Sequence, residues 1–117
     1  MAKLRLRVDL EPGGAVGPGK IALLERIERL GSISAAGREM RMSYRRAWEL
    51  VEDLNRHMGV PVVAAVTGGS GGGGARLTEA GAALVAAYRA IEVAIEAAAE
   101  PHLARLAEVA GMPDSQA

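Results

Sequence analysis

Two helix-forming stretches with almost nothing between them set the first constraint on this 117-residue chain. The first, a short helix of about two turns, lies within Ser32 to Met42, and either Ser32 or Ser34 can cap it by accepting a hydrogen bond from an otherwise unpaired amide. Ser43 offers a second cap at once. A longer helix is expected from Tyr44 to about Met58, with Ala47, Val51, Leu54 and Met58 at helical spacing. Its other side shows Arg45, Arg46, Glu49, Glu52, Asp53 and Arg56. Two helices joined by so tight a turn are the signature of a helix-turn-helix.

The flanking segments fit around that pair. A helix is expected over about Lys20–Leu30, lined by Ile21, Leu24, Ile27 and Leu30 and closed by Gly31. Before it, Lys3 to Leu10 reads as a strand, with Leu4, Leu6, Val8 and Leu10 on one face and Lys3, Arg5, Arg7 and Asp9 on the other. The Gly- and Pro-rich stretch from Glu11 to Gly19 is expected to be a flexible connector. Val62–Val66 is a second short strand and Arg76-Leu77 its return, making a hairpin whose tip is Thr67, Gly68, Gly69, Ser70, Gly71, Gly72, Gly73 and Gly74. Thr78 caps a long helix, and Glu79 favours its first turn. Leu84, Tyr88, Ile91, Ile95 and Ala98 then step by fours and threes as a heptad stripe. Pro101 is expected to kink or end that helix, with a shorter one carrying Leu103, Leu106 and Ala110 after it.

Composition agrees with a mainly α chain. Half the residues are hydrophobic, but there is no Phe, one Trp and two Tyr, so the core must come from aliphatic side chains packed helix to helix. Zero cysteines exclude a disulfide framework, a thiolate zinc site and a Cys nucleophile. No apolar run reaches the roughly 20 residues that span a bilayer, and the start is not a signal peptide, so a soluble, cytoplasmic protein without a membrane partner is expected. The expected architecture is a winged helix-turn-helix over 1–77 with a small β-hairpin wing, dimerisation helices over 78–110, and a disordered tail over 111–117.

The net charge is zero, yet unevenly spread. Residues 1–46 hold ten Lys and Arg against five acids, and residues 47–117 hold four Arg against nine acids. That asymmetry suggests a basic working surface and an acidic remainder.

Catalytic and nucleotide-binding readings find little support. Gly69-Ser-Gly71-Gly-Gly-Gly74 satisfies G-x-G-x-x-G, but a glycine tract matches that pattern almost automatically, and no second parallel strand follows Thr78. A Walker loop would need a lysine, and none occurs after Lys20. His57 and His102, the only histidines, have no second ligand at metal-site spacing, so neither metal nor cofactor is expected. His57, near a helix end, reads as a dipole partner. Ser32, Ser34 and Ser43 are explained by capping, with no base for nucleophilic catalysis, and the chain is read as a non-enzyme. Trp48 is expected to pack inward with Ala47. Arg38, Arg41, Arg45 and Arg46 differ from an ordinary solvated face because they surround the junction that, in a helix-turn-helix, faces the major groove.

Gly31-Ser-Ile-Ser-Ala-Ala-Gly37, Met42-Ser-Tyr-Arg-Arg-Ala-Trp48, Leu54-Asn55 and Thr67-Gly-Gly-Ser-Gly-Gly-Gly-Gly-Ala-Arg-Leu-Thr-Glu-Ala-Gly81 together resemble one family, the N-terminal DNA-binding domain of ModE-type molybdate-dependent regulators. That domain is a winged helix-turn-helix related to the one in LysR-type regulators. The resemblance runs from about Leu4 to Tyr88 and more loosely to Gly111. It implies bacterial transcription control, a homodimer held by the long C-terminal helix through Leu84, Tyr88, Ile91 and Ile95, and a palindromic double-stranded operator. In the family, molybdate binds a separate C-terminal β-barrel region. No counterpart is found here, so no oxyanion site carries over and a separate sensor protein is one expected partner.

The helix from Ser43 is therefore expected in the major groove, with Ser43, Tyr44, Arg45, Arg46 and Glu49 facing DNA and Arg41 beside them. Ser32 and Ser34, with the amides at their helix start, suit a phosphate. Arg76, the one charged residue of the wing, is its expected phosphate contact. Two other classes stay open: a dimeric protein-interaction module on the same scaffold, favoured by the acidic second half, and a small-oxyanion sensor using backbone amides of the glycine-rich wing.

Overall fold

The computed structural model describes residues 2–11, 13–67 and 74–111. Its elements are β1 (Val8–Asp9), β2 (Ala15–Val16), α1 (Pro18–Leu30), α2 (Ile33–Glu39), α3 (Tyr44–Met58), β3 (Val63–Val66), β4 (Gly74–Leu77) and α4 (Glu79–Val109). The mainly α architecture with a small hairpin and a long last helix is the one the sequence indicates.

α1 is the central rod. It begins at Pro18, two residues ahead of the expected start, because proline at the first helical position gives up no helical hydrogen bond and has the right φ. Ile21, Leu23, Leu24 and Ile27 are fully buried, while Leu30 stands at the rim. Around the rod lie Val16, Ala36, Ala47, Val51, Leu54, Val62, Val63, Ala75 and Tyr88. Small Ala36 and Ala47 let α2 and α3 close on α1 without aromatic bulk.

The N-terminal segment keeps the expected alternation: Leu4, Leu6, Val8 and Leu10 are partly buried and Lys3, Arg5, Arg7 and Asp9 exposed. Only its end is laddered. Val8 pairs with Val16 and Asp9 with Ala15, so the partner strand lies in the stretch expected to be a flexible connector, and not in the wing. A turn closed by Leu10 N donating to the Gly14 carbonyl, 2.9 Å, makes that reversal.

In the wing the antiparallel register sets Val63 against Leu77 and Val66 against Gly74. The return strand is thus two residues longer than Arg76-Leu77. Residues 68–73, which include Gly68, Gly69, Gly71, Gly72 and Gly73, and residues 112–117 of the expected tail lie outside the described residues.

α4 corrects the expectation at Pro101. It is one helix of 31 residues running through that proline. The lost amide bond and ring clash at Pro101 fall within alanine-rich flanks of the highest helix propensity, which carry the helix past them. Thr78 caps it, its hydroxyl accepting from Gly81 N at 3.0 Å. Gly81 is required there: a Cβ would stand 2.0 Å from the Val62 carbonyl oxygen. The first half of α4 packs on α1 through Leu84, Val85 and Tyr88. Beyond Glu92 the helix makes no hydrogen bond or ion pair to another element among the described residues. It gives the molecule its longest dimension, 55 Å against 33 and 21 Å.

Candidate nucleic-acid interface

The candidate interface is built at the junction of α2 and α3. Ser32 is the residue that caps α2, its hydroxyl accepting from Ala35 N at 3.0 Å. Ser34 lies inside α2 and accepts from the Arg38 guanidinium at 3.4 Å. The turn is tight: Arg41 N donates to the Arg38 carbonyl at 3.0 Å and Met42 N to the Gly37 carbonyl at 2.9 Å. Arg41 takes φ 58°, the one left-handed non-glycine residue among those described. Gly37 is buried where the two helices meet, and a Cβ there would come within 3.2 Å of Ala47 Cβ. The helices are therefore in backbone-close contact, and their mutual angle is fixed by packing.

Ser43 then caps α3, accepting from Arg46 N at 3.0 Å. Ala47, Val51 and Leu54 turn into the core, which forces the opposite face of α3 outward. Tyr44, Arg45, Arg46, Trp48 and Glu49 are all exposed. Arg45 and Glu49 approach one another at 3.8 Å across one helical turn, longer than a hydrogen bond, which leaves the guanidinium available.

Trp48 is the main correction to the expected site. It is 45% exposed, not packed inward with Ala47. One residue on a helix is about 100°, so the neighbour of a fully buried alanine leaves the core stripe. Tyr44 and Trp48 stand one turn apart on the same flank of α3, beside the arginines. The signal was present in the sequence: the Ala47–Val51–Leu54–Met58 stripe has no place for residue 48.

Polar contacts lock the frame behind this face. Glu39, at the end of α2, accepts from Arg26 of α1 at 3.0 Å and also pairs with Arg29. Glu28 of α1 accepts from Leu77 N at 2.9 Å, and Gly31 O accepts from Ala75 N at 2.9 Å, so the base of the wing hangs from the same helix. Asn55 of α3 accepts from Val62 N at 2.8 Å and fixes entry to β3. Thr67 and Arg76 are exposed at the wing, and Arg76 has no ion-pair partner among the described residues. The bulk of the wing tip falls among residues 68–73.

Of the stripe on α4, Tyr88 is used within its own chain: it is buried, and its hydroxyl donates to the Leu6 carbonyl at 2.7 Å. Burial pushes the phenol's pKa up, with Glu92 adding to the shift. Leu84 is partly buried, while Ile91 is exposed. Arg89 bonds Glu25 of α1 and Glu92, which holds the Glu25 carboxyl below its ordinary pKa and raises that of Arg89.

No group of three or more metal-ligating side chains occurs among the described residues. Among them no helix is long and apolar enough to cross a membrane.

Known proteins share this frame. The profile of the family described as "Bacterial regulatory helix-turn-helix protein, lysR family" matches residues 19–82, from the start of α1 to the first turn of α4. The molybdenum-pterin-binding protein MopB of Rhodobacter capsulatus is 52% identical over 75% of this chain and 33% of its own length. The molybdenum transport protein ModE of Azotobacter vinelandii is 40% identical over 92% of this chain and 40% of its own length. The chain thus spans about a third to two fifths of these curated relatives. The full-length LTTR LysG of Corynebacterium glutamicum, solved with bound effector Arg, matches over 80% of this chain and 30% of its own, at 30% identity and a TM-score of 0.56. A helix-turn-helix with Ser-capped α2 and α3, a hairpin hung on α1 and this match together place the chain in the bacterial regulatory helix-turn-helix proteins of the lysR family.

Proposed function

We propose that this chain reads double-stranded DNA sequence-specifically as a transcriptional regulator of molybdate-related genes. The observation that supports it most is the exposed set Tyr44, Arg45, Arg46, Trp48 and Glu49 on the first two turns of α3, held out by a buried opposite face. An arginine there matches guanine O6 and N7, and a glutamate can accept from cytosine N4. Tyr44 and Trp48 supply apolar contact for thymine methyls or sugar. Ser32 and Ser34 with the amides of the α2 start, Arg41, and Arg76 on the wing are assigned to phosphates, which set position without reading sequence. The molybdate connection is drawn from the names of the relatives, and a separate sensor protein is one partner that fits it.

The reading includes a homodimer on a palindromic operator. Ile91, Val93, Leu106 and Val109 are exposed apolar residues of α4, and past Glu92 the helix makes no hydrogen bond or ion pair to another element among the described residues. A single alanine-rich helix end of this kind gains its stability from a packing partner. A two-fold dimer places two reading helices on half-sites one or more helical turns apart.

Fluorescence anisotropy with genomic-derived operator and random duplexes at two salt concentrations tests the proposal. Tight, salt-sensitive and sequence-selective binding is the expected result. Equal weak binding to both duplexes would instead favour a protein-interaction module. Affinity that changes when molybdate is added to this chain alone would place an oxyanion site within it.

A further inference from the structure

The N-terminal segment carries a charged surface that DNA reading leaves unused. Lys3, Arg5 and Arg7 recur at every second residue on its exposed face. Arg7 bonds Asp9 at 2.9 Å, and Lys3 and Arg5 have no ion-pair partner among the described residues. Only Val8 and Asp9 are laddered, so the rest of the segment is an open edge. An identical strand is a poor occupant, because cations would face cations and edge charges discourage such pairing. DNA on α3 is also remote. The β1–β2 turn packs at Gly14 on His57, which lies about 20 Å along α3 from Tyr44.

The matching surface is on α4. Glu92, Glu96 and Glu100 follow one another at four-residue steps, about 6 Å apart, against about 6.7 Å for alternate residues of an extended strand. Glu92 is held by Arg89, while Glu96 and Glu100 have no partner among the described residues. Within one chain no ion pair joins them to Lys3, Arg5 or Arg7 among the described residues. Leu6 of the segment meets α4 at Tyr88, and Glu96 and Glu100 lie about 12 and 18 Å further along the helix. With Leu84 and Tyr88 packed on their own subunit, the rest of the heptad stripe, Ile91, Ile95 and Ala98, is centred on Ile95. Two copies of α4 crossing antiparallel there would bring Glu100 of the partner subunit level with Ala90, about 3 Å along the axis from Tyr88.

We propose that the cationic face of Lys3, Arg5 and Arg7 receives the C-terminal half of α4 from a second copy of this chain, pairing with Glu96 and Glu100 of the partner subunit. The inference rests on the homodimer in the reading above and goes beyond it by naming a cross-subunit contact that fixes register. Each contact occurs twice by symmetry.

The test uses two full-length variants, Lys3→Glu/Arg5→Glu/Arg7→Glu and Glu96→Lys/Glu100→Lys, studied alone and mixed. All five positions are exposed, and circular dichroism should show unfolding near that of the wild type. In sedimentation at low salt each variant alone should dimerise at least roughly tenfold more weakly than wild type, as its strand and helix now repel. Mixed, they should form heterodimers of near wild-type affinity, because each strand then meets an oppositely charged helix. Dimers that are unaffected by either reversal, or reversals that fail to rescue one another, would overturn the contact while leaving the homodimer standing. Loss of DNA affinity with dimerisation intact would overturn it in favour of a DNA contact. A monomeric wild type would remove the homodimer reading itself, and the contact with it.

Discussion

Arg89 of α4 grips Glu25 of α1 with two guanidinium nitrogens, Nε at 3.0 Å and Nη2 at 2.6 Å. This ties the long helix to α1, beside the Tyr88 hydroxyl bond to Leu6. The Arg89 hydrogen bond lowers the Glu25 pKa, so the pair's contribution is fully present above the ordinary carboxylate value and is lost as pH falls through the folded-state value. Both side chains are 40% exposed, so solvent screening holds the contribution to about 1 kcal/mol or less. Glu25→Gln should lower the urea midpoint at neutral pH, and the gap from wild type should close when unfolding is repeated in strong acid.

Gly81→Ala should be far more damaging than a surface Gly→Ala. The new methyl would meet the Val62 carbonyl, a backbone atom that also accepts from Thr78 N at 3.0 Å. The start of α4 must move away from the wing base, a loss of about 3 kcal/mol by analogy with overpacked cores. Chemical denaturation reads this directly.

Trp48→Ala should separate stability from binding. A buried tryptophan cut to alanine costs about 3–5 kcal/mol. Trp48 stands outside the core, so the expected loss in unfolding free energy is under about 1 kcal/mol. Operator affinity should fall clearly. A large fall in stability with unchanged DNA affinity would return Trp48 to a packing role.

Arg45→Ala and Arg46→Ala should each weaken operator binding by about 1–3 kcal/mol and relax selectivity at one base pair. Arg76→Ala should weaken binding evenly across sequences and reduce the salt slope by about one. Anisotropy titrations on operator and single-base variants distinguish the two patterns.

Ile91→Asp with Ile95→Asp should convert the proposed dimer into a folded monomer with much weaker operator binding. Ile91 is exposed and Ile95 partly so, unlike Tyr88, which is buried and whose replacement would also unsettle the core. Sedimentation at micromolar concentration, paired with operator titration, checks both halves of the statement.

Much of this molecule was legible because its signals are local. Hydroxyl caps at Ser32, Ser43 and Thr78 and the apolar stripes of α1 and α3 locate four helices within a few residues. The misses arise where context decides. Pro101 is a helix breaker on its own, but it follows Ala97-Ala98-Ala99 and is itself followed by further good helix formers. β2 is two residues of a glycine-rich stretch, set by pairing with Val8 eight residues upstream and by burial of Val16 in the core. Trp48 was given to the core on residue type, although the phase of its helix puts it outside. Tyr88 follows the heptad stripe on α4, yet the subunit's own body claims it, since periodicity names a face without naming what covers it.

One consequence follows from the way α1 is used. Its thirteen residues hold the end of α2 through Arg26 and Arg29, the wing through Glu28, and α4 through Glu25. The helix-turn-helix and the wing are thereby gauged from a single stiff strut. The distance between α2 and the wing is set by where Arg26, Glu28 and Arg29 fall on its circumference, and a tug on the far end of α4 arrives at both through Glu25.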